Sequence, residues 1–80
     1  MARKTLVSVS MAALMARINR KLARDGEHLK ATRSERDRPE LGDYYIVDIN
    51  RNTVVAKHRY PEELAREIGV LKPYEALREA

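Results

Sequence analysis

The chain of 80 residues contains no cysteine, tryptophan or phenylalanine, and it has only three glycines and three prolines. The lack of cysteine excludes a disulfide framework, a thiolate metal cluster and a cysteine nucleophile, and it fits a reducing compartment. The glycines, Gly26, Gly42 and Gly69, lie too far apart to form a glycine-rich phosphate-binding loop. The only aromatic residues are four tyrosines, so each ring that is buried also carries a hydroxyl that can stay in water.

Long apolar runs are also missing. No stretch approaches the ~20 apolar residues that a membrane-spanning helix requires. The first ten residues are basic and then mildly apolar, but their apolar part is too short and too rich in serine for a signal sequence. We therefore expect a soluble cytoplasmic protein that makes no contact with membranes.

Residues that usually carry catalysis are scarce. His28 and His58 are the only histidines. A metal site would need both to meet beside Asp43 or Glu27, and nothing in their spacing demands it. A chain of this size also has little room for a substrate pocket of about 300 Å³. We predict a protein that is not an enzyme, with no catalytic residues, no cofactor and no metal.

Charge is distributed unevenly along the chain. The formal net charge is +4, from 16 basic and 12 acidic residues. Residues 1–38 hold 10 Lys/Arg against 4 Asp/Glu, a net charge of +6, whereas residues 39–80 hold 6 against 8, a net charge of −2. This asymmetry favours a polyanionic partner at one end of the molecule.

Two segments have the pattern of amphipathic helices. In the first, Ser10 is a good N-cap, residues 11–25 follow, and Gly26 comes directly after the end. At 100° per residue, its apolar side chains form one stripe: Met11, Leu14, Met15, Ile18 and Leu22. The second helix begins at Pro61, ends before Gly69 and has an apolar face formed by Leu64, Ala65 and Ile68.

Residues 42–58, GDYYIVDINRNTVVAKH, have the pattern of a β-hairpin, with two apolar runs around an Asn-Arg-Asn tip. With a two-residue turn at Arg51 and Asn52, the face toward the core would carry Tyr45, Val47, Ile49, Val54 and Ala56. The opposite face would carry Tyr44, Ile46, Asp48, Val55 and Lys57. A lone hairpin is only marginally stable, so a further strand or a helix must pack on it.

The opposite face of this hairpin is too apolar for a surface that simply points to solvent, because it includes Tyr44, Ile46 and Val55. Three explanations remain open. The ends of the chain cover these residues, or they contact a second copy or another protein, or they bind a ligand.

The remaining segments complete a small α+β domain. Residues 27–33 can form a strand with Leu29 and Ala31 facing inward, and residues 34–41 form a charged connector in which Pro39 prevents regular structure. The predicted order is α-β-β-β-α, a three-stranded antiparallel sheet with helices on one face. We expect one domain over residues 1–80, with mobile ends at 1–9 and 73–80. Residues 5–9 fit either a short strand or a lead-in, and residues from Pro73 onward fit a short final helix.

Cations on the first helix share one face, at positions i, i+3, i+4 and i+7: Arg17, Arg20, Lys21 and Arg24. The connector adds three more: Arg33, Arg36 and Arg38. This spacing favours binding to the phosphates of DNA or RNA, with Tyr44 as a surface on which a base can stack. The alternative is a solvated helix face whose side chains keep the protein soluble.

Three resemblances accompany this pattern. Leu64-Ala65-x-x-x-Gly69-Val70 is similar to the first half of a helix-turn-helix motif, although the anchor positions of a recognition helix fall on Glu75 and Arg78. The β-β-β-α order resembles the arm-binding domains of phage-type integrases. The stretches RINRKLARDG, LGDYYIVD and LAREIGVLKP resemble short bacterial proteins of uncharacterised function, from proteobacteria and in part from mobile elements. That last resemblance implies no activity.

Overall fold

A computed structural model of the chain describes residues 7–78. The helices and strands follow in the order β1 (Val7–Val9), α1 (Met11–Leu22), β2 (Glu27–Ala31), α2 (Arg38–Leu41), β3 (Tyr44–Asp48), β4 (Thr53–Ala56), α3 (Pro61–Glu67) and β5 (Glu75–Leu77). Strands β2, β3 and β4 form an antiparallel sheet in that order, and β1 pairs in parallel with β5. The α+β class and the three-stranded sheet are therefore confirmed, while β1, α2 and β5 add to the predicted order.

Helix α1 begins where predicted, and the helical segment stops at Gly26 as predicted, but its last three residues form a 3₁₀ turn instead of α-helix. The Ser10 Oγ atom accepts a hydrogen bond of 3.1 Å from the Ala13 N–H, which satisfies one of the unpaired donors of the first turn. After α1, a turn of 3₁₀-helix over Ala23–Asp25 ends at Gly26, whose φ of 72° is a left-handed conformation that glycine adopts without strain. A Cβ atom at Gly26 would also lie 2.8 Å from Nδ2 of Asn50, so two reasons favour glycine there.

Helix α3 also confirms its prediction. Pro61 occupies its first turn, and the chain leaves the helix at Gly69, whose φ is 81°. The following residues fold back onto the last turn, because the Val70 and Leu71 N–H groups both donate to the Ala65 carbonyl, at 2.9 and 3.3 Å. Leu71 is buried as a result, which closes one end of the core.

The core lies between α1, α3 and one face of the sheet. It consists of Val9, Leu14, Ile18, Leu22, Leu29, Ile46, Leu64, Ala65 and Leu71. Met15 and Ile68 are partly buried against it, as their helical positions predict. Helix α1 is held to β2 by a hydrogen bond of 2.7 Å from the Leu29 N–H to the Asn19 side chain, which occupies a backbone donor on that edge of the sheet.

The hairpin has a different register from the predicted one. Its loop contains four residues, 49–52, instead of two, and Val47 pairs with Val54 while Ile46 pairs with Ala56. Within the loop, the Asp48 carboxylate accepts the Arg51 N–H at 3.0 Å, and Asn52 has a φ of 55°. A bulge follows between these pairs, because Val55 lies between Val54 and Ala56 with no partner on β3.

The predicted assignment of the hairpin faces was also wrong. Ile46, 6% exposed, points into the core opposite Leu29, and Tyr44 and Ala56 pack beside it. The outer face instead presents Tyr45 and Val47. Both faces of β3 are apolar in sequence, so alternation alone could not decide which one meets the helices.

Two predictions about the C-terminal segment and the connector also need correction. Residues Glu75–Leu77 form a strand instead of the final helix, so no recognition helix follows α3 in the part described. A helix of two turns gains little by itself, whereas β5 gains a partner in β1. Pro39 does not prevent regular structure, because it occupies the first turn of α2. The N–H groups of a first turn have no acceptor within the helix, so a proline there removes no helical hydrogen bond.

The pairing of β1 with β5 joins residues from the two ends for which the sequence predicts mobility. The Val7 N–H donates to the Tyr74 carbonyl and the Arg78 N–H donates to the Val9 carbonyl, each at 2.8 Å. The sequence fits either a short strand or a lead-in here, and for residues 7–9 the strand is confirmed. Residues 1–6, 79 and 80 lie outside the described part of the chain.

Candidate functional site

Of the four cations predicted to share one face of the first helix, one forms an ion pair and three are exposed. The Arg17 side chain extends from α1 to the C-terminal segment. Its Nη1 atom is 2.8 Å from Oε1 of Glu75, and its Nη2 atom is 3.2 Å from Oε2. Nη1 also donates to the Val70 carbonyl at 3.2 Å. Arg17 therefore holds the structure together, and its charge is already neutralised.

The carboxylate of Glu75 has matching partners on both sides. It is buried, at 8% exposure, and accepts hydrogen bonds from Arg17 and from the Lys72 N–H. The hydrogen bond from Arg17, followed by that from Lys72, lowers the pKa of Glu75 below its ordinary value. The same pairing raises the pKa of Arg17, so both groups stay charged at neutral pH.

The other three cations, which we call the helix cluster, are Arg20, Lys21 and Arg24. All three are exposed, and none forms an ion pair with an acid in the part of the chain that is described. They border a shallow groove of about 240 Å³ together with Arg17 and Val70. The groove has a basic rim beside an apolar residue, which suits an anion with some apolar surface.

The three cations of the connector are not equivalent. Arg38 lies 3.6 Å from Glu35 and 3.5 Å from Asp43, so nearby acids share its charge. Arg33 and Arg36 are exposed and have no ion-pair partner within residues 7–78. The structure therefore leaves two of the three connector cations available for an anion.

A second groove, of about 320 Å³, lies where β2 passes into the connector. We call it the linker groove, and its lining includes Lys30, Thr32, Arg33, Ser34, Asp37 and Tyr45. Lys30 is directly opposite Tyr45 across β2 and β3, so both side chains are on the outer face of the sheet. This groove shares no lining residue with the groove of the helix cluster.

The predicted interaction face does not exist as one surface. Tyr44 and Ile46 belong to the core side, and of the predicted set only Val55 is exposed, at 49%. The apolar surface of the sheet is instead formed by Val47, Val54 and Val55, with Ile49 at the hairpin loop. Tyr44 is half-buried, packs against the core and borders a groove of about 250 Å³ whose one cation, Arg38, is shared with Glu35 and Asp43.

Two residues of the linker groove were not predicted to lie together, because the sequence does not single out Lys30 and Tyr45 was expected on the core face of the hairpin. Their positions follow from the register of β2 against β3, in which Leu29 pairs with Ile46 and Lys30 with Tyr45. The prediction that Leu29 faces the core was enough to find them. Had Leu29 been paired with Ile46, alternation would have placed Lys30 and Tyr45 together on the outside.

The histidines do not come together with acids into a metal site. Among residues 7–78, no group of three or more His, Cys, Asp or Glu side chains is placed to hold a metal ion. His28 is on the outer sheet face opposite Val47. His58 is exposed and follows β4, with its backbone close to Gly42.

The chain matches no protein-family model, no curated protein and no solved structure. Within the described part of the chain, no helix is both long enough and apolar enough to cross a membrane.

Proposed function

We propose that the protein is a small binding module without enzymatic activity, and that its partner is nucleic acid, held through the helix cluster. The observation that carries the proposal is that Arg20, Lys21 and Arg24 lie together on one helical segment, exposed and without an acid partner among the described residues. Acids neutralise Arg17, Arg38, Lys57, Arg59 and Arg66. The helix cluster, by contrast, keeps three exposed positive charges on the last turn of α1 and the 3₁₀ turn that follows it.

The spacing of the helix cluster suits a phosphate backbone. Arg24 comes four positions after Arg20, which corresponds to about 6 to 7 Å along the axis of α1 and the 3₁₀ turn. One strand of a duplex presents a phosphate about every 3.4 Å along its axis, so the cluster spans roughly two phosphates. Long, flexible side chains can adjust to either DNA or RNA, so these contacts supply affinity without reading sequence.

The structure around the helix cluster favours exposed charge at this place. Arg20 and Lys21 lie in the last turn of α1, where cations interact favourably with the helix dipole. Arg17, one turn earlier, holds the segment after α3 beside the cluster through Val70 and Glu75. The charged groove therefore has a fixed apolar border.

A salt titration of binding to a short DNA duplex tests the proposal. Because each phosphate contact releases counterions, we expect log K to fall linearly with log[salt]. The triple substitution R20Q/K21Q/R24Q should weaken binding and reduce the slope by roughly 2 to 3, at about 0.9 per lost contact.

The matched control is R51Q/K72Q/R78Q, which removes the same charge from exposed positions outside the helix cluster. This control should change the slope much less. No duplex binding at low salt, binding that ignores salt, or equal losses in the two triple variants would each contradict the proposal.

A second candidate function is self-association through the sheet. Strand β4 is an edge strand, and no described residue pairs with its outer edge. Its Val54 and Val55 side chains are 41% and 49% exposed. An open, β-branched edge can pair with the same strand of a second copy about a two-fold axis. The predicted homodimer is thus retained, but its contact surface is β4 instead of Tyr44 and Ile46.

A further inference from the structure

The linker groove combines an aromatic ring with unpaired positive charge. Tyr45 is half-buried on the outer face of the sheet, so part of its ring remains open to the groove. Lys30 is its direct cross-strand neighbour, and Arg33 follows at the end of β2. Neither cation has an ion-pair partner within the described residues.

Backbone contacts fix the walls of this groove. The Thr32 N–H donates to the Asp43 carbonyl at 2.8 Å, and the Thr32 hydroxyl donates to the Gly42 carbonyl. Ser34 Oγ accepts the Arg36 N–H at 3.2 Å, which shapes the turn beyond Arg33. The site is thus positioned by the sheet and by the ordered turn after it.

Gly42 has a specific part in this arrangement. Its φ is 80°, and a Cβ atom there would lie 2.7 Å from the Cα atom of His58. Only glycine lets the end of α2 approach the segment after β4 so closely. The His58 N–H donates to the Leu41 carbonyl at 2.8 Å across the same approach. Leu41 in turn lines the linker groove.

We infer that the linker groove binds an unpaired nucleobase and its phosphate, so that the protein prefers single-stranded nucleic acid at this site. Base stacking on the Tyr45 ring supplies affinity for any base, and Lys30 and Arg33 bind the neighbouring phosphates. Asp37 is the one acid in the lining, so phosphates lie toward the two cations and away from it.

This inference rests on the proposed function only in taking nucleic acid as the partner. The helix cluster contacts phosphates and does not require unpaired bases. The linker groove does require them, since the bases inside a duplex are stacked and cannot reach a tyrosine on a sheet. The two sites therefore predict different preferences for the same chain.

The experiment measures binding of a labelled oligothymidylate and of a DNA duplex of equal length, by fluorescence anisotropy at low salt. Tyr45→Leu should weaken oligothymidylate binding by about 5- to 100-fold and leave duplex binding unchanged. Tyr45→Phe keeps the aromatic face and should bind nearly as the native chain does. Tyr60→Leu removes an exposed tyrosine that lines neither groove and serves as the control. Lys30→Gln should weaken oligothymidylate binding and reduce its salt dependence by about 0.7.

The outcomes separate this inference from the proposed function. Equal single-strand binding by the Leu and Phe variants at position 45 would overturn the inference, as would no single-strand binding by the native chain. Single-strand binding that depends on Tyr45, with no duplex binding, would support the inference and contradict the role of the helix cluster. Far-UV circular dichroism and thermal melting of each variant check that the fold is retained, and Lys30→Gln tests the groove with an exposed side chain.

Discussion

At the scale of single residues, the same side-chain type takes different roles because of its neighbours. Arg17 and Arg24 belong to one helical stripe in sequence, yet Arg17 is bound to Glu75 while Arg24 has no acid partner within residues 7–78. Arginine binds a carboxylate through two parallel N–H donors, so a properly placed glutamate captures it. The position of Glu75 is a property of the fold, since 58 residues separate it from Arg17 along the chain.

The two isoleucines of the hairpin test which face of β3 meets the core. Ile46→Ala should lower the free energy of unfolding by about 2 to 5 kcal/mol, because it removes buried methyl groups and leaves a cavity. Ile49→Ala makes the same change at a side chain that is 58% exposed, and should cost no more than about 0.5 kcal/mol. Urea denaturation measures both values. A larger loss at Ile49 would restore the predicted faces and contradict the structure.

At the scale of elements, the two main helices and the three-stranded antiparallel sheet were predictable, and the register of the hairpin was not. Ser10, Gly26, Pro61 and Gly69 mark helix ends through local chemistry, which any sequence window contains. The register of the hairpin depends on whether its loop has two or four residues, and an Asn-Arg-Asn tip permits both. The assignment of its faces failed for a separate reason, because both faces of β3 carry apolar side chains and the pattern does not say which one meets the helices.

The ion pair between α1 and the segment of β5 makes stability depend on pH. Because its folded-state pKa is lowered, Glu75 contributes stability that is fully present above its unfolded pKa of about 4.3 and is lost as pH falls through the folded value. Glu75→Gln should therefore lower the melting temperature most at neutral pH. The difference from the native chain should shrink as the pH falls below about 4.

Glu67→Gln is the matched control for this ion pair, because Glu67 pairs with Arg59 while its side chain is 63% exposed. Its effect should be small at every pH, as for most surface ion pairs. Thermal melts between pH 3 and pH 7 measure both variants. A difference for Glu75→Gln that stays constant with pH would contradict the role of the carboxylate charge.

At the scale of the whole molecule, helices cover one face of the sheet, and no element within residues 7–78 covers the other face. Helices α1 and α3 pack on the side of Leu29 and Ile46. The outer side carries Tyr45, the valines of β3 and β4, and the cations of the linker groove. The outer face therefore has a basic half beside β2 and an apolar half beside β4.

Self-association through the apolar half is tested by adding one charge to the edge strand. If β4 pairs with a second copy, sedimentation of the native chain should show a dimer as concentration rises, and Val54→Lys should remain a monomer. Ala12→Lys adds the same charge at an exposed position of α1 and should behave like the native chain. A native chain that is monomeric at high concentration would contradict this candidate.

The sequence by itself determined the fold class, the two main helices with their ends, and the absence of any cysteine chemistry. These depend on composition and on patterns within one element. Tertiary structure decided three things: that β5 pairs with β1, that Arg17 is taken by Glu75, and that Tyr45 instead of Tyr44 faces outward beside Lys30. Each depends on contacts between residues distant in the chain or on the register of neighbouring strands, which local periodicity does not encode.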